Sequence, residues 1–189
     1  MSKEIREVSG SDVLAALAHP LRRRLMDVLK VHGACTASMM AERTGQAVAN
    51  VSHHIKVLAG CDLVEEAPEL ARDRRERWWR LVSAGVRWST AGATDPAGEA
   101  VAQAALALNL ERQSGLARAW WTADETEKDH WGAGPFSTDH WLRLTPEELA
   151  EFERQLQALV GGWRDRAIPD DGQERESVFF FAHGVPAKP

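Results

Sequence analysis

Little of what marks a secreted, membrane-bound or catalytic chain is present in these 189 residues. Cys35 and Cys61 are the only cysteines, which excludes a disulfide framework. No apolar run approaches the roughly 20 residues that span a bilayer. The opening MSKEIREVSG has no apolar signal core, so a cytoplasmic protein without membrane association is the simplest expectation. There is no nucleophile elbow, no glycine loop of the phosphate-cradling kind and no zinc-hydrolase spacing, so no enzymatic activity and no cofactor are expected. Tyrosine is absent altogether, and net basic charge is lacking too, at −5 overall. That charge is unevenly placed. Residues 1–82 carry 13 Lys and Arg against 11 Asp and Glu, whereas residues 83–189 carry 10 against 17. Any nucleic acid therefore belongs with the first part, where non-specific binding should be weak and fall steeply with salt.

What is there centres on Ala41 to Val64, AERTGQAVANVSHHIKVLAGCDLV. It reads as a short helix, a turn at Gly45, and a second helix from about Ala47 to Ala59 that Gly60 ends. Two helices joined by a glycine-containing turn form the helix-turn-helix pattern. Val51, Ile55 and Leu58 recur at helical spacing and should face the core, joined by Leu63. Val48, Ala49, Asn50, Ser52, His53 and Lys56 lie on the small, polar side, which suits insertion in a DNA major groove. His54 is expected at the boundary with the core. Upstream, helices are predicted from about Ser11, with Val13, Leu14 and Leu17 inward, and from Pro20 to about Val31. Arg22 to Arg24 open the latter, with a solvated charged face as their commoner fate. Residues 1–10 read as a loose arm.

After the second helix come two strand candidates, Leu63 to Glu66 and Trp78 to Val82, around a polar loop. Loop and return carry Arg72, Arg74, Arg75 and Arg77, interrupted by Asp73 and Glu76. A hairpin in this place is a wing whose guanidinium groups are set for phosphate or the minor groove. The competing reading is a hairpin laced with local Arg–carboxylate pairs.

Leu17 to Arg22 (LAHPLR), Val51 to Leu58 (VSHHIKVL), Asp62 to Val64 (DLV) and the Arg-rich return into Trp78 to Leu81 together resemble the arsenic-repressor (ArsR-type) winged-helix family of bacterial transcription regulators. The resemblance covers residues 12–82 and implies a dimeric DNA-binding repressor whose affinity a bound signal sets. The chain departs from that pattern in three places. Ala47 stands where the family often has a capping Ser or Thr. Arg74-Arg75 replaces a Gly-Arg in the wing. The first helix of the motif, Ala37 to Glu42, lacks the thiols of the metal-sensing branch.

Residues 83–98 are rich in Gly, Ala, Ser and Thr and read as a linker. A long Ala- and Leu-rich helix follows to about Thr122. One stripe is Leu106, Leu110, Gln113, Ala117 and Trp121; another is Val101, Ala105, Leu108, Arg112 and Leu116. A helix apolar on two sides must bury two faces, one on its own subunit and one on a partner, hence a homodimer. Asp124 to Thr138 reads as polar and irregular. Thr145-Pro146-Glu147-Glu148 is a strong helix start, and Leu149, Phe152, Leu156, Leu159 and Trp163 give that helix an apolar stripe. Trp141 to Leu144 and Val178 to Phe181 read as strands on either side of it. This Thr-Pro-Glu-Glu-Leu start and the aromatic C-terminal segment resemble the extension of a larger branch of winged-helix regulators, which implies a role in dimerisation or sensing. Trp120, Trp121, Trp131, Trp141 and Trp163 could line a pocket for a small hydrophobic effector, or serve only as packing. The Asp-His-Trp echoes at Asp129 and Asp139 match no dedicated zinc spacing, and no metal site is assigned.

The expectation is a mainly α fold with a small β-hairpin wing (α+β). Residues 1–83 form a winged helix-turn-helix domain, 84–98 a linker, and 99–189 a dimerisation and sensing part. The partner is double-stranded operator DNA and the function repression, relieved by an effector or stress signal. The rival is a protein-interaction module, or a temperature or stress sensor, using the winged helix as a dimer scaffold.

Overall fold

The computed structural model describes residues 5–8, 11–73, 75–83, 85–88 and 96–188. Contact density divides the chain into two compact units, residues 1–112 and 113–189.

The first unit contains β1 (Ile5–Val8), α1 (Ser11–Ala18), α2 (Pro20–His32), β2 (Cys35–Thr36), α3 (Ala37–Thr44), α4 (Val48–Gly60), β3 (Val64–Glu66), β4 (Trp78–Leu81), β5 (Gly85–Trp88) and the first part of α5 (Pro96–Trp121). Local chemistry sets most of the boundaries. Pro20 occupies the first turn of α2, where its missing N–H costs nothing. Thr36 begins α3 by accepting the Met39 N–H at 3.3 Å. Gly45 ends α3 in the left-handed region, φ 67° and ψ 29°, and the Gln46 N–H reaches back to the Ala41 carbonyl at 3.0 Å.

A Cβ at Gly45 would meet no atom within 4 Å, so only the backbone opposes a side chain there. Gly45→Ala is expected to cost about 1 kcal/mol through the left-handed penalty alone, read as a lower urea midpoint with an unchanged slope.

The core sits between α2, α3 and α4 and a three-stranded antiparallel sheet in the order β2-β4-β3. Leu25, Cys35, Met40, Val51 and Leu58 are wholly buried in it, and Trp79 covers it from β4. Cys35 pairs with Trp79 across β2 and β4, and Val64 with Leu81 across β3 and β4. Three helices over a small antiparallel sheet whose last two strands form a hairpin make a winged helix-turn-helix, in a mainly helical chain as expected.

Several expectations are corrected. The loose arm contains β1, which pairs in parallel with β5 from the stretch read as linker. A partner some 80 residues away leaves no local mark, so neither strand is visible to a local reading. Residues 96–98 of that stretch belong to α5, and positions 84 and 89–95 lie outside the described residues. Gly60 is the last residue of α4 and does not end it by its own conformation. The left-handed position belongs to Asp62, φ 53°, whose turn lets the Leu63 N–H bond the Leu58 carbonyl at 3.0 Å.

On α5 the buried face is Gly98, Ala102, Ala105 and Asn109, which shares only Ala105 with the second predicted stripe, whose Val101 packs beside it, and no residue with the first. Small side chains let the helix settle closely on Leu14 of α1, with Ala102 and Ala105 in one cluster with it. The bulky residues stay out: Leu108 and Leu110 are exposed.

The second unit holds the end of α5, α6 (Glu125–Trp131) and α7 (Pro146–Asp165). Helix α6 falls where an irregular loop is expected. Asp124 caps it by accepting the Glu127 N–H at 2.9 Å, acidic residues occupy its first turn and Lys128 and His130 its last. Helix α7 opens with the predicted capping box, in which Thr145 and Glu148 each accept the other's backbone N–H, at 3.2 and 2.7 Å. The two flanking strands are not formed: Trp141 to Leu144 and Val178 to Phe181 pair with no strand among the described residues. Strand-like sequence needs a sheet edge to pair with before it forms a strand.

Candidate nucleic-acid interface

Helix α4 presents two chemically distinct sides. Val51, His54, Ile55 and Leu58 are buried, while Val48, Ala49, Asn50, His53 and Lys56 are exposed and Ser52 is half-buried. The side predicted to read bases is thus open along its length. Asn50 donates to the Gln46 side-chain oxygen at 3.1 Å, which orients its amide without burying it. Ala47, at the N-cap, supplies no side-chain acceptor, so the first turn of α4 keeps its N–H groups available to solvent or a ligand.

The wing is a hairpin of β3 and β4 joined by residues 67–77. Asp73 organises its tip by accepting the backbone N–H groups of Arg75 and Glu76 at 2.7 and 3.0 Å. Glu76 accepts the Arg72 N–H at 2.8 Å, and that bond leads the Trp78 and Arg72 contacts in holding its carboxyl below the ordinary range. Of the predicted arginines, Arg72, Arg75 and Arg77 are exposed, and Arg74 lies outside the described residues. They divide by partner. Arg77 pairs with Glu66 across the hairpin at 3.3 Å, and Arg80, which was not predicted, binds Glu65 at 2.8 Å and also Glu69. Among the described residues no ion pair holds the guanidinium of Arg72 or Arg75. Local pairing thus describes the hairpin's stem, whereas Arg72 and Arg75 near the tip are exposed and make no salt bridge among the described residues.

The Arg22 to Arg24 triplet divides in the same way. Arg22 spans to the Ala15 and Ala16 carbonyls of α1, at 3.0 and 2.5 Å, and so ties the helix junction. Arg23 reaches Asn109 of α5, and burial, followed by the nearby Arg112, pushes its pKa down to about 10. Asp27 receives Arg112 and, at 3.6 Å, Lys30. This polar seam joins α2 to α5 across some 85 residues of sequence, a separation that no periodicity could have revealed. Only Arg24 keeps the exposed placement expected of the triplet.

The tryptophans do not gather into a pocket. Trp120 and Trp131 are half-buried, Trp121, Trp141 and Trp163 are exposed, and no two of these rings are in contact among the described residues. Trp163 lines a shallow groove with Ala158, Leu159 and Gly162 of the same helix and Arg166 just past its end, and Arg166 lies 4.4 Å over the ring. The histidines of the two Asp-His-Trp echoes have separate partners: His130 meets Glu176 at 3.0 Å, and His140 meets Thr138 at 2.9 Å. No helix among the described residues is long and apolar enough to cross a membrane.

Residues 17–67 match a family described as a helix-turn-helix domain, which spans α2 to β3. No curated protein matches the chain. Solved structures give distant likenesses. A fragment of a possible transcriptional regulatory protein from Mycobacterium bovis is 21% identical, over 53% of this chain and 87% of that one, with a TM-score of 0.35. A possible transcriptional regulator for arsenical resistance is 26% identical, over 66% and 98%, with a TM-score of 0.33. The YusO protein of Bacillus subtilis is 18% identical, over 79% and 82%, with a TM-score of 0.35.

Proposed function

We propose that this protein is a DNA-binding transcription regulator that acts as a homodimeric repressor of the arsenic-repressor type. The observation that carries the reading is the open polar side of α4, with Asn50 and His53 exposed beside a wing tip whose Arg72 and Arg75 are held in no ion pair among the described residues. A helix of this width fits the major groove, and exposed arginines on a hairpin that follows it suit contact with phosphate. Asn50, Ser52 and His53 read base edges, and Val48 and Ala49 meet thymine methyl groups. Lys56 and Arg72, Arg74, Arg75 and Arg77 hold phosphate, Arg77 giving up its contact with Glu66 to do so. Residues 1–83 carry recognition and residues 99–189 carry self-association and response to a signal, such as a small hydrophobic ligand or stress.

Selection of bound fragments from genomic DNA by the purified protein tests this directly. A shared inverted repeat among the fragments supports it, and recovery no better than random removes it. Within a selected site, His53→Ala and Asn50→Ala are each expected to cost about 1–3 kcal/mol and to relax preference at particular base pairs. Arg75→Ala should instead weaken all DNA alike and flatten the salt dependence by about one counterion. Gel-shift titrations at two salt concentrations, on selected and scrambled duplexes, separate the two patterns.

A further inference from the structure

Behind the open side of α4 lies a pair of imidazoles, His19 and His54, that base reading does not use. His19 stands at the N-cap of α2 and His54 on the buried side of α4, with ring centroids 4.4 Å apart and planes tilted by 39°. His53 meets His54 edge-on, 5.2 Å between centroids. The His19 ring caps α2, since its Nδ1 accepts the Leu21 N–H at 3.2 Å. An accepting Nδ1 carries no proton, which places the ring's single proton on Nε2. The Nδ1 of His54 is buried and has no partner.

Both rings therefore have strong reasons to stay neutral. A proton on His19 Nδ1 would oppose two donors, lose the cap, and set a cation at the positive end of α2. A proton on His54 Nδ1 would bury an unmatched donor together with its charge. The titratable and charged groups around the pair are Arg22 on α2, His53 on α4 and, beyond Arg22, Cys61. Arg22 bears on both rings and His53 on His54, and each opposes a further positive charge. Burial first, and then Arg22 for His19 and the His19 ring, Arg22 and His53 for His54, hold both imidazoles below the ordinary histidine value.

We propose that the His19–His54 stack is a proton-sensitive clasp that fastens the recognition helix to the start of α2, so that acidification loosens α4 and releases DNA. The direction follows from linkage. The unfolded chain takes up protons at the ordinary histidine value and the folded clasp only at lower pH. Stability present above that value is therefore lost as the pH falls toward the lowered one. The DNA arm of the proposal rests on the function proposed above; the clasp itself does not.

The test compares the full-length protein with a His19→Asn, His54→Gln double variant, in which Asn retains a capping oxygen and neither side chain takes up a proton. Melting temperature is followed from pH 7.5 to 5.5, and affinity for a selected duplex is measured at both ends. The expected result is a fall in melting temperature for the wild type that is at least halved in the variant. With it goes about a tenfold loss of affinity at the acid end in the wild type only. Parallel melting profiles for the two proteins overturn the clasp. Intact acid-end binding in a wild type that loses melting temperature overturns the coupling to DNA. Absence of DNA binding at either pH overturns the proposed function, and the melting profiles still decide the clasp. Should the double variant not fold, the wild-type ring-proton resonances decide: both histidines titrating below free imidazole of the unfolded chain supports the clasp, and either titrating at or above it overturns it.

Discussion

Replacing Leu58 with alanine is expected to remove about 3 kcal/mol of stability, within the range for a fully enclosed leucine. The side chain has no exposed surface, and it lies in the cluster that Val51, Ile55, Leu25 and Trp79 share. The cavity has little chance to collapse, because α4 is fixed at its far end by the Leu63 N–H bonding the Leu58 carbonyl. Against a total stability of about 5–15 kcal/mol for a domain, the loss is a large fraction of what holds the recognition helix in place. DNA binding should fall with it although no DNA contact is touched. Leu58→Met, which conserves volume, should cost less than about 1.5 kcal/mol. His53→Ala is the complementary control, since it lies on the open side of the same helix: binding changes and the urea midpoint stays. A Leu58→Ala protein as stable as the wild type would mean that α4 is not anchored through its inner side.

How far the molecule can be read from its sequence depends on the range of the interaction involved. The helix-turn-helix is local. Val51, Ile55 and Leu58 repeat at 3.6 residues, Gly45 supplies the left-handed turn, and Pro20 marks a helix start within one turn of the residues it serves. The wing follows from two short β-favouring runs around a charged loop, and its exposed arginines stand where expected. What stays hidden is long-range or depends on shape. The seam of Asp27 with Arg112 and Arg23 with Asn109 has no signal until both helices are placed. The parallel β1–β5 pair has the same difficulty. On α5 the rule that large apolar residues face inward fails, because close approach to α1 favours Gly98, Ala102 and Ala105. His19 is a different case: it is visible in LAHPLR, but its role as a cap needs the angle at which its ring meets Leu21 and His54. Helix α6 could have been found from Asp124 and the charges at its two ends, yet it has no apolar stripe to attract notice.

The same failure on α5 leads to the second large effect, which concerns self-association. With small residues turned to α1, the helix leaves Leu108, Leu110, Leu116 and Trp121 in solvent, at 46, 47, 42 and 53% exposure. In the second unit Phe152, Leu159 and Trp163 of α7 are exposed as well, at 46, 61 and 63%. So much apolar surface on one chain exceeds what single scattered residues explain and is of the kind that marks an association surface. Leu110→Asp is expected to yield a monomer in sedimentation equilibrium while leaving the melting of the first unit nearly unchanged, since the side chain is exposed and belongs to neither buried cluster among the described residues. Affinity for a two-half-site duplex should drop by about a hundredfold or more, because each reader then binds without its tethered twin. Affinity for an isolated half-site should hardly move. Phe152→Asp distinguishes the two helices: a monomer from this substitution and not from Leu110→Asp assigns the dimer contact to α7 and not to α5. Full dimers from both, with operator affinity intact, would remove these faces from self-association and turn attention to another chain as their occupant.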